Sequence, residues 1–152
     1  MANVFWDQKG VLLVKFIAHG ITINTDRYCE TLNKLRRAIQ NRRRGMLTKG
    51  VCLLHDKARP HVARQTIAHL DQFGWDIISH PPYSPDLAPC DYHLFPKLKE
   101  HLAGRRFSND DDVKVAVQRF NNTVASCYDM GIQKLPLCLQ KCIDRNGDYV
   151  KK

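Results

Sequence analysis

An α/β fold is what this sequence predicts, and three observations predict it. Val51-Cys52-Leu53-Leu54 is a continuous apolar run without alternation, as in a strand buried on both faces, and Trp75-Asp76-Ile77-Ile78 reads as a second short strand. Between them lies a helical stretch, so strands and helices alternate along the chain. The third observation is bulk: 152 residues, 43% hydrophobic and 26% charged, suit one domain with a sizeable core and exclude wholesale disorder. No stretch approaches the roughly 18–20 apolar residues of a membrane helix. The start, Met-Ala-Asn-Val-Phe-Trp-Asp, lacks the basic and apolar regions of an export signal.

Each element has a local justification. Val4-Phe5-Trp6 and Val11 to Ala18, separated by Asp7-Gln8-Lys9-Gly10, predict a β-hairpin over 4–18 with Gly10 in the turn. Thr25 or Asp26 caps a helix to about Gln40, with Leu32, Leu35 and Ile39 on its inward face, and Asn41–Gly50 reads as a loop. Pro60 starts the next helix, with Val62, Ile67 and Leu70 inward and Gly74 as the stop. The proline-rich link from Pro81 to Pro89 reads as irregular. A helix follows from about Cys90 to Ala103, in which Pro96 predicts a kink or a late start. Asn109-Asp110-Asp111-Asp112 caps another helix with the charge its dipole favours. The last helix falls within Gly131–Ile143 and begins near Pro136, and Asp144–Asp148 reads as a turn. This makes a hairpin (4–18), an α/β core (26–104) and C-terminal helices (109–143).

Six cysteines, Cys29, Cys52, Cys90, Cys127, Cys138 and Cys142, are scattered without a C-x-x-C pair, which gives little support to a closed zinc site. Cys138 and Cys142, one helical turn apart, read as packing. The net charge of +9 is local: Lys34, Arg36, Arg37, Arg42, Arg43, Arg44 and Lys49 occupy one segment without acids and account for seven of the nine charges. Such a patch suits a polyanion, most simply nucleic acid, and suits equally a solvated face that keeps the protein soluble. Arg42-Arg43-Arg44 also reads as a short nuclear address.

Two acids stand where acids carry chemistry. Asp56 follows a buried strand, and the ends of strands are where α/β proteins place their sites. Asp91 opens a helix, where the first-turn N–H groups favour its ionised form. Carboxylates from a strand end and a helix start suit a hard divalent cation such as Mg²⁺ or Mn²⁺, and such ions serve phosphodiester chemistry. A solvent-facing strand-end Asp and an ordinary helix cap are the other readings.

The segments Val51-Cys-Leu-Leu-His-Asp56-Lys-Ala-Arg-Pro-His61 and His80-Pro-Pro-Tyr-Ser-Pro-Asp86-Leu-Ala-Pro-Cys-Asp91-Tyr-His-Leu-Phe95 closely resemble the mariner family of cut-and-paste DNA transposases. The 34 residues between Asp56 and Asp91 match that family's spacing between its second and third catalytic aspartates. The likeness continues through Val4–Val11, Phe107–Phe120, Tyr128–Leu135 and Lys141–Tyr149, nearly the whole chain. The same domain occurs fused to a SET methyltransferase domain, of which no sequence is present here.

The resemblance implies an RNase H-like fold of the retroviral-integrase type. It implies Asp56 and Asp91 as catalytic metal ligands for Mg²⁺ or Mn²⁺, with water and then a DNA 3′ hydroxyl attacking phosphodiesters in line. DNA is the implied partner, a homodimer the family's usual assembly, and the nucleus the implied location. The basic residues Arg36, Arg37, Arg42, Arg43, Arg44 and Lys49 are the candidate DNA contacts. Asp86 reads as a capping or loop-ordering residue, Asp7 as a turn residue, and His55, His61, His80 and His93 as hydrogen-bonding neighbours of the site.

The family's first catalytic aspartate, in a Gly-Asp-Glu-like stretch on the domain's first strand, has no match in these residues, nor do the helix-turn-helix region and its linker. The expectation is a partial catalytic domain with the first central strand missing, inactive alone. It is marginally stable or aggregation-prone unless the hairpin shifts to pair with Val51–Leu54. The alternatives are a non-catalytic nucleic-acid-binding module and a decayed transposon remnant.

Overall fold

Backbone pairing in the computed structural model, which describes residues 1–78, 80–81, 83–122 and 125–147, begins with the expected hairpin. Strands β1 (Ala2–Asp7) and β2 (Gly10–Phe16) pair across Gln8 and Lys9. Asp7 Oδ1 accepts the Lys9 N–H at 2.8 Å, and Gly10 takes φ +127, a conformation side chains avoid. The described residues group into two compact units: Met1–Phe5 with Leu12–Tyr83, and Trp6–Val11 with the chain from Ser84.

In the first unit, helix α1 (Thr25–Arg42) is capped one residue earlier than expected. Asn24 has extended backbone, so its short side chain reaches the Arg27 N–H at 3.0 Å, while Thr25 and Asp26 lie inside the first turn. Tyr28, Leu32, Leu35 and Ile39 form the buried stripe, each side chain contributing roughly 1.5–3 kcal/mol by burial. The segment expected as a loop contains one helical turn, α2 (Met46–Lys49), because Met46 and Leu47 pack on the core. Its flanks, Gly45 and Gly50, both have positive φ.

Strand β3 (Cys52–Leu54) alternates: Cys52 is exposed and Leu53 buried. The strand is therefore covered on one face, not both. Two helices follow where one was expected, α3 (Arg59–Val62) and α4 (Arg64–Phe73). Ala63 turns extended between them (ψ 143), and the Thr66 hydroxyl donates to the Pro60 carbonyl at 2.5 Å. That break resets the helical phase. Thr66 and Leu70 become the fully buried pair, while Val62 (46% exposed) and Ile67 (41%), expected inside, face outward.

Helices α1 and α4 meet along four rungs: Gln65 donates to Asp26, Cys29 touches Thr66, His69 bonds Asn33, and the Arg36 guanidinium lies 5.2 Å over the Phe73 ring. Both numberings rise together, so the helices run in the same direction. Gly74, left-handed, stops α4 as expected. Strand β4 (Asp76–Ile78) then pairs parallel to β3, with Leu53 opposite Ile77, completing a βαβ unit. Leu12, Tyr28, Leu32, Leu35, Ile39, Val51, Leu53, Leu70 and Trp75 form the core. Among the described residues the hairpin pairs with neither β3 nor β4, so the compensating strand shift does not occur.

In the second unit, the proline-rich link is not wholly irregular, since Pro85–Leu87 form a tight helical turn around the buried Leu87. Cys90–Leu94 then form a widened π turn, closed by the Phe95 N–H on the Cys90 carbonyl, before helix α5 (Phe95–Leu102). Pro96 has no N–H for the Tyr92 carbonyl and its ring crowds that group; the widened turn relieves both, which is the kink expected there.

Helix α6 (Asp110–Phe120) is capped by Asn109 Oδ1 on the Asp112 N–H (2.9 Å), and Asp112 returns a bond to the Ser108 N–H (3.1 Å). Helix α7 (Ala125–Asp144) starts well before Pro136, contrary to expectation. Its N-terminal half buries Tyr128 and Gly131, and that packing offsets an interior proline's cost of about 3 kcal/mol. Residues 145–147 form the expected turn, with the Gly147 N–H on the Cys142 carbonyl. Pro82, Asp148 and Tyr149 lie outside the described residues.

Candidate active site

Asp56 stands two residues beyond β3, in the extended segment leading to α3. Its Oδ1 accepts two hydrogen bonds, from the Ala58 N–H (3.1 Å) and from His61 Nδ1 (2.5 Å), while Oδ2 receives none from the described residues. The side chain is 65% exposed. Partial desolvation opposes its ionisation, but the Ala58 bond and the charge and hydrogen bond of His61 outweigh it and hold the carboxyl below its ordinary value. An ionised carboxylate only accepts, so His61 carries its proton on Nδ1.

Behind this pair lies a ring cluster. His61 packs against Tyr28 (centroids 4.0 Å apart) and stacks on His55 (5.2 Å, 6° between planes), and the Tyr28 hydroxyl meets His55 Nδ1 at 2.8 Å. Burial, then the neighbouring His61, lowers the His55 pKa to about 4 against the opposing pull of Asp56. Burial first, then Asp56, raises that of Tyr28. At neutral pH His55 is therefore uncharged, and the Tyr28 O–H donates to it.

Asp91 occupies the π turn of the second unit, where its N–H bonds the Ala88 carbonyl at 2.9 Å and its side chain is exposed. Its neighbours are fixed while it is not. Trp6 Nε1–H donates to Cys90 Sγ (3.2 Å), the Tyr92 hydroxyl donates to the Gly131 carbonyl (2.8 Å), and buried His93 Nε2 donates to the Cys127 carbonyl (2.6 Å). Gly131 is where α7 closes on the turn: a Cβ there would stand 2.5 Å from the His93 ring. Burial pushes the Cys90 thiol up, only partly offset by the Trp6 bond. The turn is thus held by three hydrogen bonds, one to Trp6 of β1 and two to α7, and leaves Asp91 exposed.

Carboxylate oxygens are the right donors for a hard divalent cation, and both aspartates are exposed. Among the described residues no group of three or more His, Cys, Asp and Glu side chains is placed to hold a metal ion. The donors fit Mg²⁺ or Mn²⁺ in kind, with Asp56 in the first unit and Asp91 in the second. The first unit's pocket of about 160 Å³, lined by Lys15, Phe16, Ile21, Arg27 and Thr31 among others, contains neither aspartate.

The basic segment divides on inspection. Arg36, Arg37, Arg42, Arg44 and Lys49 are exposed. Arg36 rests over Phe73, Arg42 donates to the Leu12 carbonyl (3.2 Å), and Arg43 is half-buried and donates to the Arg42 carbonyl (3.2 Å). Of the other residues singled out, Asp86 lies half-buried in the tight turn and His80 is buried.

The family model for transposases (partial DDE domain) matches residues 1–49. The chain is 38% identical to the human histone-lysine N-methyltransferase SETMAR over 98% of its length, and 38% identical to the Mos1 mariner transposase of Drosophila mauritiana over 99%. A solved Mos1 catalytic domain with raltegravir and Mg superposes with TM-score 0.91 at 37% identity, over 97% of this chain and 75% of that one. The chain belongs to the mariner transposase family. Its fold is the RNase H-like fold of the mariner catalytic domain. It spans 22% of SETMAR and 45% of the Mos1 transposase, under half the length of either curated relative. Mos1 has also been solved as a paired-end complex with Mn and as a pre-cleavage transpososome.

Tyr28, Trp6 and Gly131 are the residues that motif reading of this mariner domain missed. Tyr28 carried a signal, since it sits one turn before Leu32 on the α1 stripe. Trp6 and Gly131 lie in stretches that carry the family likeness, but their contacts were not legible there, because their partners are 84 and 39 residues away.

Proposed function

We propose that this chain is part of a cut-and-paste DNA transposase catalytic domain, with Asp56 and Asp91 as ligands of Mg²⁺ or Mn²⁺ in phosphodiester hydrolysis and strand transfer. The likeness to the Mos1 catalytic domain carries this reading, and the exposed carboxylates on ordered supports are consistent with it. Bound divalent ions would activate the attacking oxygen and stabilise the leaving one. Asp56 would present Oδ2 from the end of β3, and Asp91 a carboxylate from a turn fixed by Trp6, Tyr92 and His93.

Two carboxylates are too few to hold such ions firmly, so the 152 residues by themselves bind metal weakly and do not cut DNA. Arg36, Arg37, Arg42, Arg43, Arg44 and Lys49 supply the sequence-independent phosphate contacts, all but the half-buried Arg43 exposed. DNA is the partner, a homodimer the working assembly and the nucleus the site of action.

The test is complementation. The part of Mos1 that precedes the matched region is joined ahead of Met1, and the chimaera is assayed for Mn²⁺-dependent nicking of Mos1 transposon ends. Nicking lost in both Asp56→Asn and Asp91→Asn is the expected result. Nicking that survives either substitution overturns the assignment of that residue.

A further inference from the structure

We infer that His61 is the positioning residue for Asp56, holding the carboxylate by Oδ1 so that Oδ2 faces a divalent cation. The inference rests on the reading of Asp56 as a metal ligand. Four observations carry it. The His61 Nδ1–Asp56 Oδ1 bond is 2.5 Å long, and the Ala58 N–H closes on the same oxygen, so both constraints fall on one side of the carboxylate. Oδ2 receives no hydrogen bond from the described residues. The His61 ring is itself immobilised, against Tyr28 on α1 at 4.0 Å and stacked on His55 at 5.2 Å. Finally, Tyr28 and His55 are tied to each other at 2.8 Å, so the surface on which His61 rests spans a helix and a strand end.

His61 is mostly covered (19% exposed) whereas Asp56 is largely open (65%), the arrangement of a support behind a ligand. With Nδ1 directed at Asp56, the ring does not share a cation with it through that atom, and hard cations prefer oxygen. Ligating carboxylates and imidazoles are commonly oriented by such outer hydrogen bonds, whose loss costs about 10–100-fold in metal affinity. Here an imidazole orients a carboxylate.

The experiment is an Mn²⁺ titration of the 152-residue chain, read as paramagnetic broadening of the Asp56 NMR signals, with amide spectra and melting curves recorded for every variant. His61→Ala and His61→Gln are expected to weaken Mn²⁺ binding at Asp56 about tenfold or more. His61→Asn, which keeps an N–H donor near the Nδ1 position, is expected to restore it to within about threefold of wild type. A merely structural histidine predicts no such difference between Asn and Gln. Wild-type affinity in His61→Ala, or equal losses in Asn and Gln, overturns the positioning role. Broadening of the backbone amides at position 56 and its neighbours that persists unchanged in Asp56→Ala instead overturns the reading of Asp56 as a ligand, whatever the His61 variants do.

Discussion

Gly131→Ala is the substitution whose sign most sharply separates helix propensity from packing. Gly131 lies inside α7, where alanine is favoured over glycine by about 1 kcal/mol, so propensity alone predicts stabilisation. The surroundings predict the reverse. The new Cβ would stand 2.5 Å from His93 Cδ2, 2.8 Å from Cγ and 3.0 Å from the Trp6 ring, where ordinary contacts begin near 3.4 Å. The His93 ring must move by nearly an ångström, yet it is buried and bonded to the Cys127 carbonyl at 2.6 Å. Overpacking costs about 1–3 kcal/mol, and straining or losing that buried hydrogen bond about 1–3 more. Set against the propensity gain, the net loss is about 1–5 kcal/mol, a fall of about 2–20 °C in Tm for a chain of this size. Urea and thermal unfolding followed by circular dichroism and tryptophan fluorescence measure it. A Gly131→Ala protein as stable as wild type, or more stable, would refute the packing account of the turn that carries Asp91.

Three other predictions concern different parts of the molecule. Asn24→Ala removes the α1 cap and should cost about 1 kcal/mol, whereas Thr25→Ala should cost a few tenths, both read from urea midpoints; equal costs would return the cap to Thr25. In the metal-free chain His55 titrates near pH 4 instead of 6.5. As pH falls below 6.5 the unfolded chain takes up a proton that the folded one refuses, so His55 destabilises the fold progressively down to about pH 4 and not beyond. An imidazole NMR titration checks this, and an apparent pKa near 6.5 would contradict it. Neutralising Arg37, Arg44 and Lys49 together should reduce the slope of log K against log salt for DNA binding by about 3, with little change in sequence preference; an unchanged slope removes them from the phosphate contacts.

Much of the fold was legible because its signals are local. Alternation, the Gly10 turn, the α1 stripe, the Gly74 stop and the acid-rich start of α6 each need only neighbouring residues, and each appears in place. The misplacements arise where a specific contact overrode the pattern of apolar residues. Ala63 breaks what reads as one helix because Thr66 bonds the Pro60 carbonyl, and the phase shift turns Val62 and Ile67 outward. Pro136 looked like a helix start, but burial of Tyr128 and Gly131 extends α7 through it. Of the proposed site, the two aspartates come from motifs in the sequence. Their supports were not legible there, since the rings under Asp56 come from Tyr28, His55 and His61 and those around Asp91 from Trp6 and α7.

The pairing pattern bears on how the purified chain behaves. Strand β3 has one strand neighbour and the hairpin has none beyond itself, so both leave unpaired backbone edges among the described residues. Concentration-dependent association in sedimentation is the expected behaviour, and a monomeric chain with one cooperative melt would count against it.

The central claim is that Asp56 and Asp91 are the metal-binding carboxylates. Its most direct measurement is Mn²⁺-induced broadening of all the Asp and Glu side-chain NMR signals in the 152-residue chain, with Mg²⁺ as competitor. Asp56 and Asp91 are expected to broaden first, ahead of Asp110, Asp111 and Asp112, which are also exposed, and Mg²⁺ is expected to reverse the effect. Broadening that begins at Asp110–Asp112 and leaves Asp56 and Asp91 sharp would contradict it.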